Sequence, residues 1–146
     1  MSDTRAPVRV APFAGLSAAR FHDIVRLRLS VFVVEQRCSY DELDGRDVLA
    51  DTLHMWIEDG GAVVAYLRLY PGPEDADWIG RVVTAPAYRG RGLGGRLVAA
   101  ALERARRPVR ISAQARLAPW YAAFGFVPCG PDFDEDGILH TPMRLE

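Results

Sequence analysis

Arg89-Gly90-Arg91-Gly92-Leu93-Gly94-Gly95 is the stretch on which the reading of this chain turns. It holds four glycines and two arginines in seven residues. Before it runs Trp78–Thr84, which has strand character, and the loop Ala85-Pro86-Ala87-Tyr88. After it come Leu97, Val98, Ala101, Leu102 and Ala105, the spacing of an amphipathic helix that ends before Pro108. The first N–H groups of a helix have no intrahelical acceptor, and the helix dipole adds positive potential there. Glycines let an anion approach the backbone with no Cβ in the way. A loop of this kind at a helix start binds phosphate or pyrophosphate. The plainer alternative is a turn that only joins strand to helix, and it leaves the two arginines without a purpose.

Two phosphate-binding architectures are set aside. Gly90-Arg91-Gly92-Leu93-Gly94-Gly95 fits the spacing G-x-G-x-x-G of a dinucleotide fold, but the context does not. No acid lies about 20 residues on to hold a ribose; the next strand reads Val109-Arg110-Ile111-Ser112-Ala113-Gln114. Only 51 residues follow Gly95, and hairpins precede the motif where a dinucleotide fold would begin with it. A Walker loop needs a lysine, and all 18 basic residues here are arginine. The same absence excludes Schiff-base catalysis, pyridoxal phosphate and the kinase lysine.

Working outward, Val8 and Val10 mark a weak strand near 7–13. Ser17 is placed to cap a helix over 17–33, whose apolar face is Phe21, Ile24, Val25 and Phe32. The polar segment Glu35 to Asp51 reads as a loop. Leu53–Glu58, Asp59-Gly60-Gly61 and Ala62–Tyr70 form a hairpin, closed by Pro71-Gly72-Pro73. Val109–Ala113 is a strand, Pro119 starts a short helix stopped by Gly125, and Phe126–Pro128 and Ile138–Leu145 are the last strands. The order β-α-β-β-β-α-β-α-β-β implies an α/β (α+β) fold. Its sheet is mixed and mostly antiparallel, with one β-α-β crossover around the glycine motif and helices on its faces.

The 146 residues are the size of one domain, and 49% hydrophobic with 25% charged residues is the balance of a soluble protein with its own core. Cys38 and Cys129 form no metal-spaced cluster, so no metal is expected. The start MSDTRAPVRV has no apolar h-region, and no stretch nears the roughly 20 apolar residues of a membrane span. A cytoplasmic protein with no membrane partner is expected. The formal net charge of -1 conceals segregation. From Arg81 to Arg116 there are nine arginines against Glu103 alone. From Glu35 to Asp59 there are eight acids against Arg37 and Arg46, and four more acids lie within Asp132–Asp136. The basic segment suggests an anionic ligand and the acidic ones a cationic ligand, unless both are merely solvated faces.

The motif resembles that of the GNAT superfamily of acetyl-coenzyme A-dependent N-acetyltransferases, [R/Q]-x-x-G-x-[G/A], here Arg89-Gly90-Arg91-Gly92-Leu93-Gly94. A second family element is matched by Gln114, Tyr121 and Gly125-Phe126. The likeness runs from about residue 8 to the end. The N-terminal third is similar to the ElaA-like branch, through Arg26-Leu27-Arg28, Val31-Phe32-Val33-Val34-Glu35-Gln36, Cys38-Ser39-Tyr40 and Asp44; so is Glu135-Asp136-Gly137-Ile138-Leu139-His140.

The resemblance implies the GNAT (acyl-CoA N-acyltransferase) fold and acetyl transfer from acetyl-CoA to a primary amine of a small molecule or peptide, in a ternary complex and without metal. By the same likeness the backbone of Val82, Val83 and Thr84 would pair with the pantetheine arm, in room left where parallel strands part after Thr84. A backbone N–H near Val83 or Thr84 would polarise the thioester. Arg89, Gly90, Arg91, Gly92, Gly94 and Gly95 would bind the pyrophosphate. Gln114, where many members have Asn, would contact the pantetheine. Tyr121 would protonate the leaving thiolate. The base that takes the amine's proton is open among Glu35, His140, Glu135 and His54, or a water chain. A cationic amine would suit Asp41, Glu42, Asp44 and the 132–136 acids. A homodimer is compatible with the likeness. The alternatives are a non-catalytic acyl-CoA sensor on this fold and nucleic-acid binding by the arginine-rich segment. The second is weak, since Tyr88 is the segment's lone interleaved aromatic and the pI is near 6.3.

Overall fold

The computed structural model describes residues 6–146. In chain order the strands are β1 (Arg9–Pro12), β2 (Leu53–Asp59), β3 (Ala62–Gly72), β4 (Ala76–Thr84), β5 (Val109–Gln114), β6 (Val127–Pro128), β7 (Phe133–Glu135) and β8 (Ile138–Leu145). The helices are α1 (Ala18–Arg28), α2 (Leu93–Arg104) and α3 (Ala118–Ala122). Sheet order is β1-β2-β3-β4-β5-β8-β6, with β7 also on β8. Every pairing is antiparallel except that of β4 with β5. The expected mixed, mostly antiparallel sheet is present. β7 is an addition to the sequence reading: three exposed residues too short to show a period. No described helix is long and apolar enough to cross a membrane.

Alternation along the strands sends residues to two cores on opposite faces. Met55, Ile57, Leu67 and Leu69 pack against Leu97, Val98 and Ala101 of α2. Trp56, Tyr66 and Val83 pack against Ile24, Leu27 and Val31 on the α1 side. Ser17 caps α1 as read, its hydroxyl accepting from the Arg20 N–H at 3.0 Å. The helix expected over 17–33 changes character after Arg28. Leu29–Glu35 is a wider π-helical segment, where the Gln36 N–H reaches the Val31 carbonyl at 3.0 Å. Such insertions rotate the residues beyond them, and they recur at functional sites.

Two features of β4 open the sheet. First, β4 and β5 pair only at Asp77 with Val109 and at Trp78 with Arg110. The strands therefore part at Ile79, well before Thr84, which corrects the position that the family likeness suggests. Second, β4 carries one extra residue against β3 between the Arg68–Gly80 and Tyr66–Val83 pairs. Arg81 sits there with φ +55, a bulge that re-aims its side chain and stores strain in a non-glycine residue.

Candidate functional site

The parting of β4 from β5 leaves two cavities that share one wall. The loop-side cavity, about 470 Å³, is lined by Val82, Val83 and Thr84 along β4, by Arg89, Gly90, Gly92, Gly94 and Gly95, and by Arg116 and Trp120 opposite. The far cavity, about 340 Å³, is lined on one side by Asp44, Arg46, Arg68, Tyr70 and Arg81 and on the other by Glu135, Asp136 and His140. Phe32, Gln36, Val82, Gln114, Leu117 and Tyr121 border both.

The loop has the geometry of an anion site. Gly90 and Gly92 adopt φ of +79 and +77, and an added Cβ at either would meet nothing within 4 Å. Gly92 ends the loop without a side-chain cap, so the first N–H groups of α2 are left for a ligand. Arg89 borders this cavity and donates from both terminal nitrogens to Glu35, each at 2.9 Å, and from Nε to the Thr84 carbonyl at 3.2 Å. Arg91 does not border it. It donates to the Ala87 carbonyl at 3.1 Å and lies over the Tyr88 ring. Arg116 is a basic residue that the motif reading left unassigned.

At the shared wall Tyr121 is buried, and burial pushes its phenol up to about 12, so it holds its proton at neutral pH. Gln36 and Gln114 exchange amide hydrogen bonds across the wall, at 3.1 and 3.4 Å. The π-helical segment and the residue after it place Phe32 and Gln36 here and Glu35 on the loop side, and no motif marks Phe32 or Gln36 as site residues.

The four candidate bases separate. His140 borders the far cavity, and its Nδ1 lies 2.8 Å from the Ile138 carbonyl. A carbonyl only accepts, so Nδ1 carries a proton, which leaves Nε2 as the ring nitrogen able to exchange one. Glu135 stands 3.7 Å from that Nε2, and the Phe133 ring stacks on the imidazole. Glu35 lies on the loop side, tied to Arg89, whose hydrogen bonds hold its carboxyl below the usual range. His54 borders neither cavity. It is fully buried between the Tyr66 hydroxyl and the Asp47 carbonyl, and burial lowers its basicity. His22, read as helix surface, is exposed beside Asp23.

Three acids of the 35–59 segment, Glu42, Asp44 and Asp47, are taken up by arginines rather than left open to a cation. Glu42 Oε2 accepts from Arg28 Nε at 2.5 Å and Arg81 Nε at 2.9 Å. Asp47 Oδ1 accepts from Arg28 at 2.8 Å and Arg68 at 3.0 Å. Asp44 takes both terminal nitrogens of Arg68, at 3.0 and 2.5 Å. Burial opposes ionisation of Asp44, but the Arg68 hydrogen bonds and neighbouring guanidiniums overcome it and hold the acid at about 2. The basic segment is likewise divided: Arg81 joins this network and Arg110 pairs with Glu74. Both cysteines are free.

Residues 22–146 match the acetyltransferase (GNAT) domain. The chain is 48% identical over 133 residues to a UPF0039 protein of Mycobacterium tuberculosis, covering 88% of this chain and 85% of that one. It is 37% identical over 138 residues to protein ElaA of Escherichia coli, covering 90% of each. The fold superposes on a crystal structure of an acyl-CoA N-acyltransferase from Pseudomonas aeruginosa with a TM-score of 0.89 and 39% identity, over 96% of this chain and 99% of that one.

Proposed function

The chain belongs to the GNAT acetyltransferase family, a fold that transfers acyl groups from coenzyme A, and from that premise we propose that it moves an acetyl group from acetyl-CoA directly to a primary amine of a small molecule or peptide. The carrying observation is the shared wall: two cavities meeting at Tyr121 let donor and acceptor be present together, as a ternary complex requires.

In this reading the glycine loop and the start of α2 hold the pyrophosphate, Arg89 leaving Glu35 for it in part. The β5-facing edge of β4 at Val82–Thr84, unpaired beyond Trp78, accepts the pantetheine arm as a further strand, with Gln114 beside it. His140 Nε2 takes the amine's proton, and Glu135 steadies the resulting imidazolium. The nitrogen then attacks the thioester carbon, polarised by a backbone N–H near Val83 or Thr84. As the C–N bond forms and the C–S bond breaks, the Tyr121 hydroxyl gives its proton to the departing thiolate, and the second proton lost by the acylated nitrogen restores the phenol. Glu35 serves Arg89 rather than the amine. The reading takes residues 1–146 as one catalytic domain working in the cytoplasm.

Thiol release with a panel of amines tests this. Tyr121→Phe and His140→Gln should each lower kcat about 100-fold with coenzyme affinity within about twofold of the parent. Full rates in both variants would overturn the assignment.

A further inference from the structure

Beyond this reading, and resting on the far cavity as the acceptor site, we propose that the acceptor carries an anionic group, a carboxylate, as well as its amine, and that Arg46 is the residue that selects it. On one side of that cavity, lined there by Asp44, Arg46, Arg68 and Arg81, four guanidiniums, Arg28, Arg46, Arg68 and Arg81, face three carboxylates, Glu42, Asp44 and Asp47. The three buried or half-buried arginines use all three acids. The surplus cation is Arg46, whose side chain is 38% exposed. Its Nε reaches Asp44 only at 3.8 Å, and its two terminal nitrogens have no acceptor among the described residues.

Arg46 is also held ready. Its backbone N–H is fixed to Asp44 Oδ1 at 3.0 Å, its carbonyl accepts from the Thr52 hydroxyl at 2.7 Å, and its guanidinium lies over the Tyr70 ring at 4.7 Å. A planar fork stacked on an aromatic face presents two parallel donors, the geometry that a carboxylate fits. Beside it the Nε–H of Arg68, a residue 1% exposed, also lacks an acceptor. Gly80 leaves room there: a Cβ on it would stand 3.9 Å from both that Nε and the Tyr70 hydroxyl. Across the cavity the charge reverses at Glu135 and Asp136, with His140 beside them. Such a cavity orients a molecule with an anion at one end and an amine at the other, the amine toward the wall that holds Tyr121. An amine without an acid leaves the fork unpaired, which a polar site penalises.

The test compares matched pairs, L-leucine against L-leucinamide and β-alanine against β-alaninamide, by thiol release in the parent, Arg46→Ala, Arg46→Glu and Arg46→Lys. The acid-to-amide ratio of kcat/KM should fall about tenfold or more in Arg46→Ala, further in Arg46→Glu, and partly recover in Arg46→Lys. Comparing the ratio between proteins cancels the different basicities of acid and amide. The KM for acetyl-CoA should not move. A ratio unchanged within twofold across the variants overturns the proposal. Calorimetry of the same carboxylates with the CoA-loaded protein reads the site without catalysis. Binding that Arg46→Ala abolishes supports the site even where no acyl transfer is found, a result that would count against the acetyltransferase reading instead. Binding equal in parent and variant, or none in the parent, overturns it.

Discussion

The two cavities that meet at Tyr121 handle charge in opposite ways. On the loop side the head of α2 has no side-chain cap, so its backbone N–H groups would meet the anion proposed there, and the arginine there, Arg89, is 44% exposed and pairs with Glu35 in contact with water. On the far side two arginines of the network lie inside the protein: Arg28 is 0% and Arg68 is 2% exposed in their side chains. Screening makes an exposed pair cheap to break, so Arg89 can exchange Glu35 for a phosphate at little cost. A buried pair is different, because losing one partner strands the other in a low dielectric. The first region is therefore adaptable and the second is a fixed frame.

The contrast breaks or holds on three measurements. The largest effect is expected from Arg28→Ala, which leaves Glu42 and Asp47 short of a partner. It should cost about 3–5 kcal/mol in denaturant unfolding, against under about 1 kcal/mol for Arg89→Ala. Equal costs would abolish the distinction.

Next comes acid. Asp44 and Asp47 are both held below 3.8, Asp44 at about 2, by hydrogen bonds and charge from the buried arginines working against desolvation. Groups with depressed folded values contribute stability that is complete above their unfolded value and lost as pH falls through the folded one. The urea midpoint should thus drop between about pH 4 and pH 2, with a shallower drop in Asp44→Asn; an unchanged slope would remove Asp44 from the frame.

The smallest effect sharpens the loop side. Glu35→Gln should shift stability by less than about 0.5 kcal/mol and leave kcat within about threefold, with the KM for acetyl-CoA equal or lower as Arg89 is released. A 100-fold loss of kcat would make Glu35 the base after all.

These regions were also unequally legible in the sequence. The loop site lies in seven contiguous residues whose glycines and arginines each have a local reason, so it could be read directly, along with the strand before it and the helix after it. The frame draws on Arg28, Glu42, Asp44, Asp47, Arg68 and Arg81, which no spacing rule joins. Counting charge by segment showed an excess of acid near Glu42 but not that arginines from α1, β3 and β4 would neutralise it. Local rules similarly gave the span of the first helix and missed its π-helical end, where Val31 to Val34 keep an apolar pattern under either winding. The early parting of β4 from β5 is a tertiary matter, since neither strand's own residues state how far its partner follows. His140 stood out among the bases only once the Ile138 carbonyl fixed its tautomer.

One feature of both cavities bears on the protein's own chemical safety. Every basic side chain lining them, apart from His140, is a guanidinium, and the 146 residues contain no lysine. Thioesters acylate neutral amines slowly even without help, and a lysine beside a bound acyl donor is exposed to this through its neutral fraction. A guanidinium keeps its charge and offers no such nucleophile. On the proposed function, the groups that would grip the donor's anions are ones its acyl group leaves untouched, and the 146 residues carry no lysine on which self-acylation could accumulate.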